Sequence, residues 1–300
     1  MAYKKPDELD HWTDFTRRIY REWDADPGYY AIQHSGFSRD QQMRLAIAWC
    51  AYYNLGIAAR ASELAGSKFW SYLHALYSTA QRGSERRHFR GAAGLRALKE
   101  WSDRWPKPET MMVFACGGWG GAGTYFDIRK RTSEIYLYGS YYTWKVCDLH
   151  EVLGFGPVDM RGSEKYSPKV PQQGAHLIHG MDGADAWKYA DDSVLTGKGY
   201  PDDVVPLTYS EIAGWGRAHK VPPRTTDQRP FGMQEAETVC CVYKQMSNGS
   251  YIYGTRTAKA VRRLRSVDSD TADTMIATLL RLSPYTEEQL NMRLDSLTEK

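Results

Sequence analysis

The sequence of 300 residues lacks the features that mark several large classes of protein. It holds five cysteines, an odd number, and no Cys-x-x-Cys pair, so it indicates neither a disulfide framework nor a zinc ribbon. The stretch Met1–Asp10 is polar and charged, and no apolar run has the length of a membrane span. We therefore expect reduced thiols, a cytoplasmic location, no signal peptide and no membrane partner.

Several catalytic motifs are absent as well. The sequence has no Gly-x-x-x-x-Gly-Lys-Ser/Thr loop, no His-Glu-x-x-His pair and no Gly-x-Ser-x-Gly elbow, which disfavours P-loop kinases, zinc proteases and serine hydrolases. Gly118–Gly123 matches Gly-x-Gly-x-x-Gly, but the surroundings predict helices rather than a βαβ unit, so a loop is favoured over a dinucleotide site. His176 and His179 supply only two of the three or four ligands that zinc needs. We expect no metal and no other cofactor.

The net charge of +3 is too small to indicate nucleic acid by itself, but the charge is unevenly distributed. Basic residues outnumber acidic ones from Arg82 to Arg104, and Thr255–Arg265 carries five basic residues and no acidic one. Such segments are either solvated helix faces or contacts to phosphates. For a DNA backbone, the candidate contacts are Arg86, Arg87, Arg90, Arg256, Arg262 and Arg263.

Aromatic side chains are abundant, with 10 Trp and 21 Tyr. Each combines a large apolar body with a polar tip, which suits a pocket that stacks planar groups such as nucleobases. The same side chains also fill ordinary cores, so no single aromatic residue identifies a site.

Hydrophobic periodicity predicts a mainly α chain with a small β element. Helices are expected over Asp10–Trp23 and, as one long buried helix, over Met43–Leu64. Glu237–Lys244 and Tyr251–Tyr253 flank the dipeptide Asn248-Gly249, which predicts a β-hairpin near 236–254. A basic helix is expected directly after it.

The chain between 160 and 232 is poor in periodicity and rich in Gly, Pro and Asp, which predicts long loops and short helices. We therefore expect one mainly helical catalytic domain over 1–300, with a loop-rich insert at 160–232 and a β-hairpin plus basic helix at 236–266.

The segment Gly139–Gly154 places several kinds of functional side chain on one predicted helix. In a helix over Trp144–Leu153, the buried stripe would consist of Val146, Leu149, Val152 and Leu153, with Gly154 ending the helix. Trp144, Lys145 and Asp148 would then project together from the face opposite the core. Because an exposed ion pair contributes little to stability, that face is either a plain surface pair or a ligand site.

The order of features resembles two related families. The turn at Gly139, the helix, and the run Val158-Asp159 with Arg161 resemble the helix-hairpin-helix DNA glycosylases. More closely, the chain resembles the phage enzymes of thymine hypermodification called amino acid:DNA transferases, or α-glutamyl/putrescinyl thymine pyrophosphorylases, which are thought to derive from the glycosylase fold. The segments that carry this resemblance are Asp26–Tyr30, Arg44–Arg60, Gly139–Leu149 and Glu237–Gly254.

This resemblance implies a glycosylase-like helical domain and a pyrophosphate-releasing transferase, working in the host cytoplasm if a phage encodes it. Its partners would be double-stranded phage DNA carrying a modified thymine, and an amino acid or polyamine as amine donor. The amine nitrogen would displace pyrophosphate from 5-pyrophosphoryloxymethyl-uracil, a reaction that needs base extrusion, charge balance and an oriented amine.

The resemblance also suggests a role for each candidate residue. Asp148 is the candidate general base or amine orienter, and Lys145 is a candidate pyrophosphate contact that favours the ionised carboxylate. Glu237 and Lys244, seven positions apart on a predicted strand, would point to opposite faces, so that one binds substrate and the other is structural. The remaining candidate substrate contacts are the stacking residues Trp144, Tyr53 and Tyr243, together with Asn54 and Asp159.

Two other functions fit the same sequence. One is a glycosylase-like enzyme that cleaves a modified base with Asp159 as the key carboxylate, and it would release free base instead of pyrophosphate. The other is a non-enzymatic DNA-binding or phage structural protein, in which Lys145 and Asp148 would tolerate alanine.

Overall fold

The computed structural model of the chain describes residue 4 and residues 8–83, 89–118, 123–180 and 204–298, and these residues are predominantly helical. Within these ranges there are fifteen α-helices, which confirms the predicted mainly α class. In chain order they are α1 (Trp12–Arg21), α2 (Pro27–His34), α3 (Arg39–Tyr52), α4 (Leu55–Ser62), α5 (Ser67–Leu76), α6 (Gly91–Arg104), α7 (Pro108–Cys116), α8 (Tyr125–Thr132), α9 (Ser140–Val152), α10 (Lys169–Ile178), α11 (Val204–Ala218), α12 (Met233–Ser247), α13 (Thr255–Leu264), α14 (Asp270–Leu282) and α15 (Glu287–Thr298).

Two short strands form the sheet found in this part of the chain. β1 (Gly123–Thr124) pairs in parallel with β2 (Val158–Asp159), with Gly123 opposite Val158. Thr124 also caps α8, because its hydroxyl accepts a hydrogen bond from the Asp127 N–H at 3.1 Å. The strand pair therefore ties the start of α8 to the segment that follows α9.

The chain forms two compact units. The first comprises Met1–Pro27, Met160–Ala258 and Leu282–Lys300, and the second comprises Gly28–Asp159 and Lys259–Arg281. The core of the first unit is built largely from α1, α10, α11 and α12, and Phe15, Tyr209 and Val239 are fully buried in it. The second unit packs α3 against α4 and α7, and α8 against α9. The predicted single catalytic domain stays a prediction.

The long helix predicted over Met43–Leu64 is wrong in one respect, because the chain breaks at Tyr53-Asn54. Tyr53 adopts the left-handed conformation, with φ of 50° and ψ of 40°. The Asn54 side chain then accepts hydrogen bonds from the N–H groups of Gly56 and Ile57 and caps α4. These two residues form a corner between α3 and α4. The apolar pattern of the sequence runs through this corner without interruption, so it predicted one continuous helix.

The β-hairpin predicted near 236–254 is also wrong, since Met233–Ser247 is one helix, α12. Its N-terminus is satisfied by Glu235, whose carboxylate accepts from the Gly232 N–H at 2.8 Å. The Asn248-Gly249 pair ends the helix instead of turning a hairpin, because Gly249 takes a φ of 70° and donates to the Met246 carbonyl. α12 is buried on most sides, so it lacks the polar face by which an amphipathic helix is recognised.

The loop-rich insert predicted at 160–232 contains more helix than expected. Its described residues include a short 3-10 turn at Glu164–Tyr166, α10 and the 15-residue α11. Residues 181–203 lie outside the described ranges. No helix in the described part of the chain is both long and apolar enough to cross a membrane.

Candidate active site

The helix α9 carries the predicted catalytic pair, and the structure places both residues against Tyr29 of α2. The Tyr29 hydroxyl donates to the Asp148 carboxylate at 2.9 Å. The Lys145 ammonium lies 5.3 Å from the centroid of the Tyr29 ring and 5.8 Å from that of Tyr141, within the range of a cation–π interaction. One tyrosine therefore links the amine and the carboxylate that α9 presents one turn apart.

The predicted exposed face of α9 is wrong, because this face is buried as well. The stripe formed by Val146, Leu149, Val152 and Leu153 lies in the core as expected, but Trp144 and Asp148 are each only 2% exposed. Lys145 is 9% exposed, so the pair is no surface ion pair. The reason is tertiary: α9 contacts α7 and α8, and Tyr29 covers its remaining polar side. Charged groups withdrawn from water interact more strongly than exposed ones.

An aromatic row extends from Tyr29 to the corner between α3 and α4. The Tyr29 ring meets Trp49 edge-on at 5.0 Å between centroids, and Trp49 stacks on Tyr53 at 5.0 Å with an interplanar angle of 21°. Gly28 permits this packing, since a Cβ there would lie 2.7 Å from the Trp49 ring. Tyr53, predicted as a stacking residue, is the partly exposed end of the row.

The other candidate residues of this unit have separate surroundings. Both ends of the Asn54 amide are engaged in structure, because its oxygen caps α4 and its nitrogen donates to the Gln81 carbonyl at 3.0 Å. Trp144 packs against Tyr125, 6.0 Å between centroids, and its indole N–H is buried without a hydrogen-bond partner. Asp159, half-buried, lies on β2 opposite Thr124.

The three candidates on α12 lie in the other compact unit. Because α12 is a helix, Glu237 and Lys244 at i and i+7 share one face, and the predicted opposite orientation is wrong. The Tyr243 hydroxyl donates to the Asp10 carbonyl at 3.0 Å and its ring packs on Phe15, so it is a packing residue within its unit. Burial, aided by the ammonium of Lys169, lowers the pKa of Lys244 below its usual value.

The basic segments divide into structural and exposed residues. On α13, Arg256 donates to the Ala25 carbonyl and Arg263 to the Tyr53 carbonyl, whereas Arg262 and Lys259 are exposed, as is Arg265 directly after the helix. Arg90 is exposed at the start of α6, and the candidates Arg86 and Arg87 lie outside the described residues. Three basic residues of the segment Arg82–Arg104 form ion pairs: Arg96 with Glu100 and Lys99 with Asp103 within α6, and Arg104 with the more distant Glu134.

Sequence reasoning missed two buried polar residues, Tyr29 and Asp24. Asp24 is fully buried and accepts hydrogen bonds from the Tyr251 hydroxyl at 2.8 Å and from the backbone N–H groups of Gly254 and Thr257 at 2.9 and 2.8 Å. It thereby holds the N-terminus of α13 from a distant part of the chain. For Tyr29, the available signal was the segment Asp26–Tyr30, which carries part of the family resemblance, whereas nothing in the sequence indicated that Asp24 is buried.

Metal binding finds no support in the described part of the chain, where no three His, Cys, Asp or Glu side chains converge on a possible metal site. The five cysteines, all within the described ranges, form no disulfide.

The chain is similar in sequence to a known family and to two phage proteins. The family model of amino acid:DNA transferases matches residues 8–251, a range that contains every element from α1 to α12. A glycinyltransferase of Pseudomonas phage PaMx11 is 29% identical over 255 residues, which cover 79% of this chain and 84% of that protein. A putrescinyltransferase of Delftia phage PhiW-14 is 28% identical over 183 residues, which cover 59% of this chain and 56% of that protein.

Proposed function

The chain belongs to the amino acid:DNA transferase family, and from that premise we propose that it replaces the pyrophosphate of 5-pyrophosphoryloxymethyl-uracil in double-stranded phage DNA with an amine. The bond between the 5-methylene carbon and the pyrophosphate oxygen breaks, and pyrophosphate leaves with the electron pair. A bond from the same carbon to the donor nitrogen forms, and the nitrogen loses one proton. No oxidant or reductant is needed.

The observation that carries this proposal is the buried cluster of Lys145, Tyr29 and Asp148. The reaction requires a cation to balance pyrophosphate and an acceptor for the amine proton, and α9 supplies both within one helical turn. Burial strengthens these interactions, because the surrounding medium screens charge less than water does. Lys145 is the more exposed member and is the proposed pyrophosphate contact, while Asp148 orients and deprotonates the amine.

The aromatic row next to this cluster supports recognition of a flipped base. Tyr53 is partly exposed and is backed by Trp49, which in turn contacts Tyr29. A base that stacks on an aromatic ring gains about 1 to 3 kcal/mol. The uracil ring would therefore be held beside the groups that act on its 5-methylene substituent.

The donor is proposed to be an amino acid or a polyamine. The two relatives are named for transfer of glycine and of putrescine, which are both primary amines. A primary amine is the nucleophile that the proposed substitution needs.

The proposal is tested by incubating the protein with duplex DNA that contains 5-pyrophosphoryloxymethyl-uracil and a pool of amino acids and diamines. Mass spectrometry of the digested nucleosides should show an amine adduct on the 5-methylene carbon, with release of pyrophosphate. Release of free base would instead identify a glycosylase acting through Asp159. The absence of any change in the nucleosides would contradict the proposed reaction.

The role of Asp148 is tested with Asp148→Asn. Loss of a general base should lower the transfer rate by about 100- to 10,000-fold, while binding to the same DNA persists. Asp103→Asn, which changes an exposed aspartate paired with Lys99, is the matched control and should leave the rate unchanged. Near-normal turnover of Asp148→Asn would remove this residue from the mechanism.

A further inference from the structure

The helix α8 carries an aromatic side chain that faces solvent. In the described part of the chain, the large apolar side chains that are exposed are Leu95, Phe126, Leu207 and Met292. Phe126 is the aromatic member of this set, and 46% of its surface is exposed. Single exposed apolar side chains are common on protein surfaces, so the meaning of this one depends on what holds and surrounds the ring.

The backbone that presents Phe126 is held firmly at the start of α8. Just before it, Gly123 and Thr124 pair with β2, and the Thr124 hydroxyl caps the helix. Tyr125 and Ile128, on either side of Phe126 in the sequence, are fully buried and fix the face of α8 that packs into the core. Phe126 therefore stands at the surface on a rigid support.

Aromatic contacts connect this exposed ring to the helix that carries the proposed catalytic pair. Phe126 meets Tyr125 edge-on at 5.5 Å between centroids, and Tyr125 packs against Trp144 at 6.0 Å. Trp144 lies one turn before Asp148 on α9. All four residues belong to the second compact unit. Phe126 is thus the outer end of a line of rings whose inner end lies beside the proposed reacting groups.

The surface of α8 around Phe126 is basic. Arg129 and Lys130 follow at i+3 and i+4, which places them on the same side of the helix as the ring. Lys130 is exposed and Arg129 is partly exposed. The Asp127 carboxylate, next to the ring in the sequence, accepts a hydrogen bond from the Thr124 hydroxyl at 2.7 Å. An apolar ring beside cations matches a DNA duplex, which offers base faces for stacking and phosphates for ion pairs.

We propose that Phe126 enters the DNA duplex next to the modified uracil and occupies the space that this base leaves when it is extruded. Phenylalanine is among the side chains that proteins insert between base steps. The extruded base loses its pairing and stacking, and the inserted ring offsets part of that loss by stacking on the neighbouring bases. Arg129 and Lys130 contact the phosphates of the opened strand. This inference rests on the proposed function and deepens it, since it names the residue that opens the duplex.

The experiment compares two duplexes that carry the same 5-pyrophosphoryloxymethyl-uracil, with a pool of amino acids and diamines as donors. In one duplex the modified uracil pairs with adenine, and in the other an abasic site lies opposite it, so that no base pair has to be broken. Phe126→Ala should lower kcat/KM on the paired duplex about 5- to 150-fold, through the loss of one stacking contact. On the duplex with the abasic site the loss should be much smaller. A merely structural role of Phe126 would lower both rates alike.

Three further variants complete the test. Phe126→Leu keeps an apolar side chain and should retain most of the activity on the paired duplex. Leu95→Ala removes an exposed apolar side chain from α6 of the same compact unit and should behave as wild type. Lys130→Gln should reduce the slope of log affinity against log salt by about 1. Thermal unfolding of each variant identifies any loss caused by misfolding.

The outcomes separate this inference from the proposed function. If the wild-type protein transfers no amine to either duplex, the proposed function fails. If transfer occurs but Phe126→Ala lowers neither rate, or lowers both rates equally, the role assigned to this ring is wrong. It is equally wrong if the wild-type protein acts only on the duplex with the abasic site. An unchanged salt slope for Lys130→Gln would contradict the phosphate contact on α8.

Discussion

At the scale of single residues, two buried carboxyl groups of this protein each accept several hydrogen bonds. Asp24 accepts hydrogen bonds from the start of α13, and Glu235 accepts them from the Arg229 guanidinium and from the backbone N–H groups of Arg224 and Gly232. An uncompensated buried charge would be strongly destabilising. The same rule makes the buried Asp148 notable, because its hydroxyl partner Tyr29 also contacts the Lys145 ammonium.

Glu235 predicts how stability depends on pH. Burial works to raise the pKa of this carboxyl, but the Arg229 guanidinium, 2.7 Å away, together with Arg224 and the Gly232 N–H, holds the pKa below its usual value of 4.5. The ionised form is therefore favoured in the folded state. The resulting stability is fully present above pH 4.5 and is lost as the pH falls through the lower, folded-state pKa.

Urea unfolding over an acidic pH series measures this effect. The wild-type protein should lose unfolding free energy below pH 4.5, and Glu235→Gln should be less stable at neutral pH and show a weaker dependence in the acid range. Glu100→Gln, at an exposed ion pair with Arg96, is the matched control and should change stability by less than about 1 kcal/mol. Parallel curves for wild type and Glu235→Gln would show that this carboxyl does not link stability to pH.

At the scale of elements, α12 organises the first compact unit. It packs against α10, α11 and α1, and its buried residues extend along nearly its whole length. Such a helix has apolar and polar residues on all sides, which explains why Thr238–Val242, rich in β-branched residues, resembled a strand. The close contact with α10 is possible only because of one glycine.

Gly174→Ala tests the importance of that contact. The added methyl group would meet the Cys240 backbone oxygen, so the two helices must separate, and we expect a loss of about 1 to 3 kcal/mol in the free energy of unfolding. Gly214→Ala on α11 is the control, because the nearest atom to its Cβ is 3.9 Å away. Alanine there should stabilise the helix by about 0.5 to 1 kcal/mol. Urea unfolding measures both variants. A Gly174→Ala variant that is as stable as the wild type would contradict the close approach of α10 and α12.

At the scale of the whole molecule, the net charge is only +3, but basic residues are concentrated in one row on the surface. Lys259 and Arg262 on α13, and Arg265 directly after its last residue, are exposed at positions i, i+3 and i+6, whereas Arg256 and Arg263 bind backbone carbonyls. The exposed residues form one stripe on the helix. Such a stripe suits contact with the phosphates of a DNA backbone.

Salt dependence tests whether this stripe binds DNA. If each exposed residue contacts a phosphate, changing Lys259, Arg262 and Arg265 to Gln should reduce the slope of log affinity against log salt by about 2 to 3. Fluorescence anisotropy of a labelled duplex measures that slope. A double change of Arg96 and Lys99 to Gln, on α6, is the control, because both residues form close ion pairs of 2.6 and 2.7 Å within their own helix, whereas Arg265 lies 3.8 Å from Asp273. If the control reduces the slope while the change of Lys259, Arg262 and Arg265 does not, the DNA contact lies on α6 instead.

Much of the helical framework was predictable from the sequence. The helix over Trp144–Leu153 is present as α9, its predicted stripe is buried, and the basic helix near 257–266 is present as α13. The resemblance to amino acid:DNA transferases, drawn from four short segments, is confirmed by the family match over residues 8–251. Periodicity, caps and short motifs are local, so a single chain segment carries the necessary information.

The candidate site was less predictable, because its surroundings come from distant segments. The sequence by itself determined the mainly α class, the helix that carries Lys145 and Asp148, and the spacing of those two residues. Only the tertiary structure decided that this face is covered by Tyr29, that α12 is a helix with Glu237 and Lys244 on one side, and that Gly174 lets α10 approach it. Burial and close packing depend on which elements meet, and the pattern within one element does not specify its neighbours.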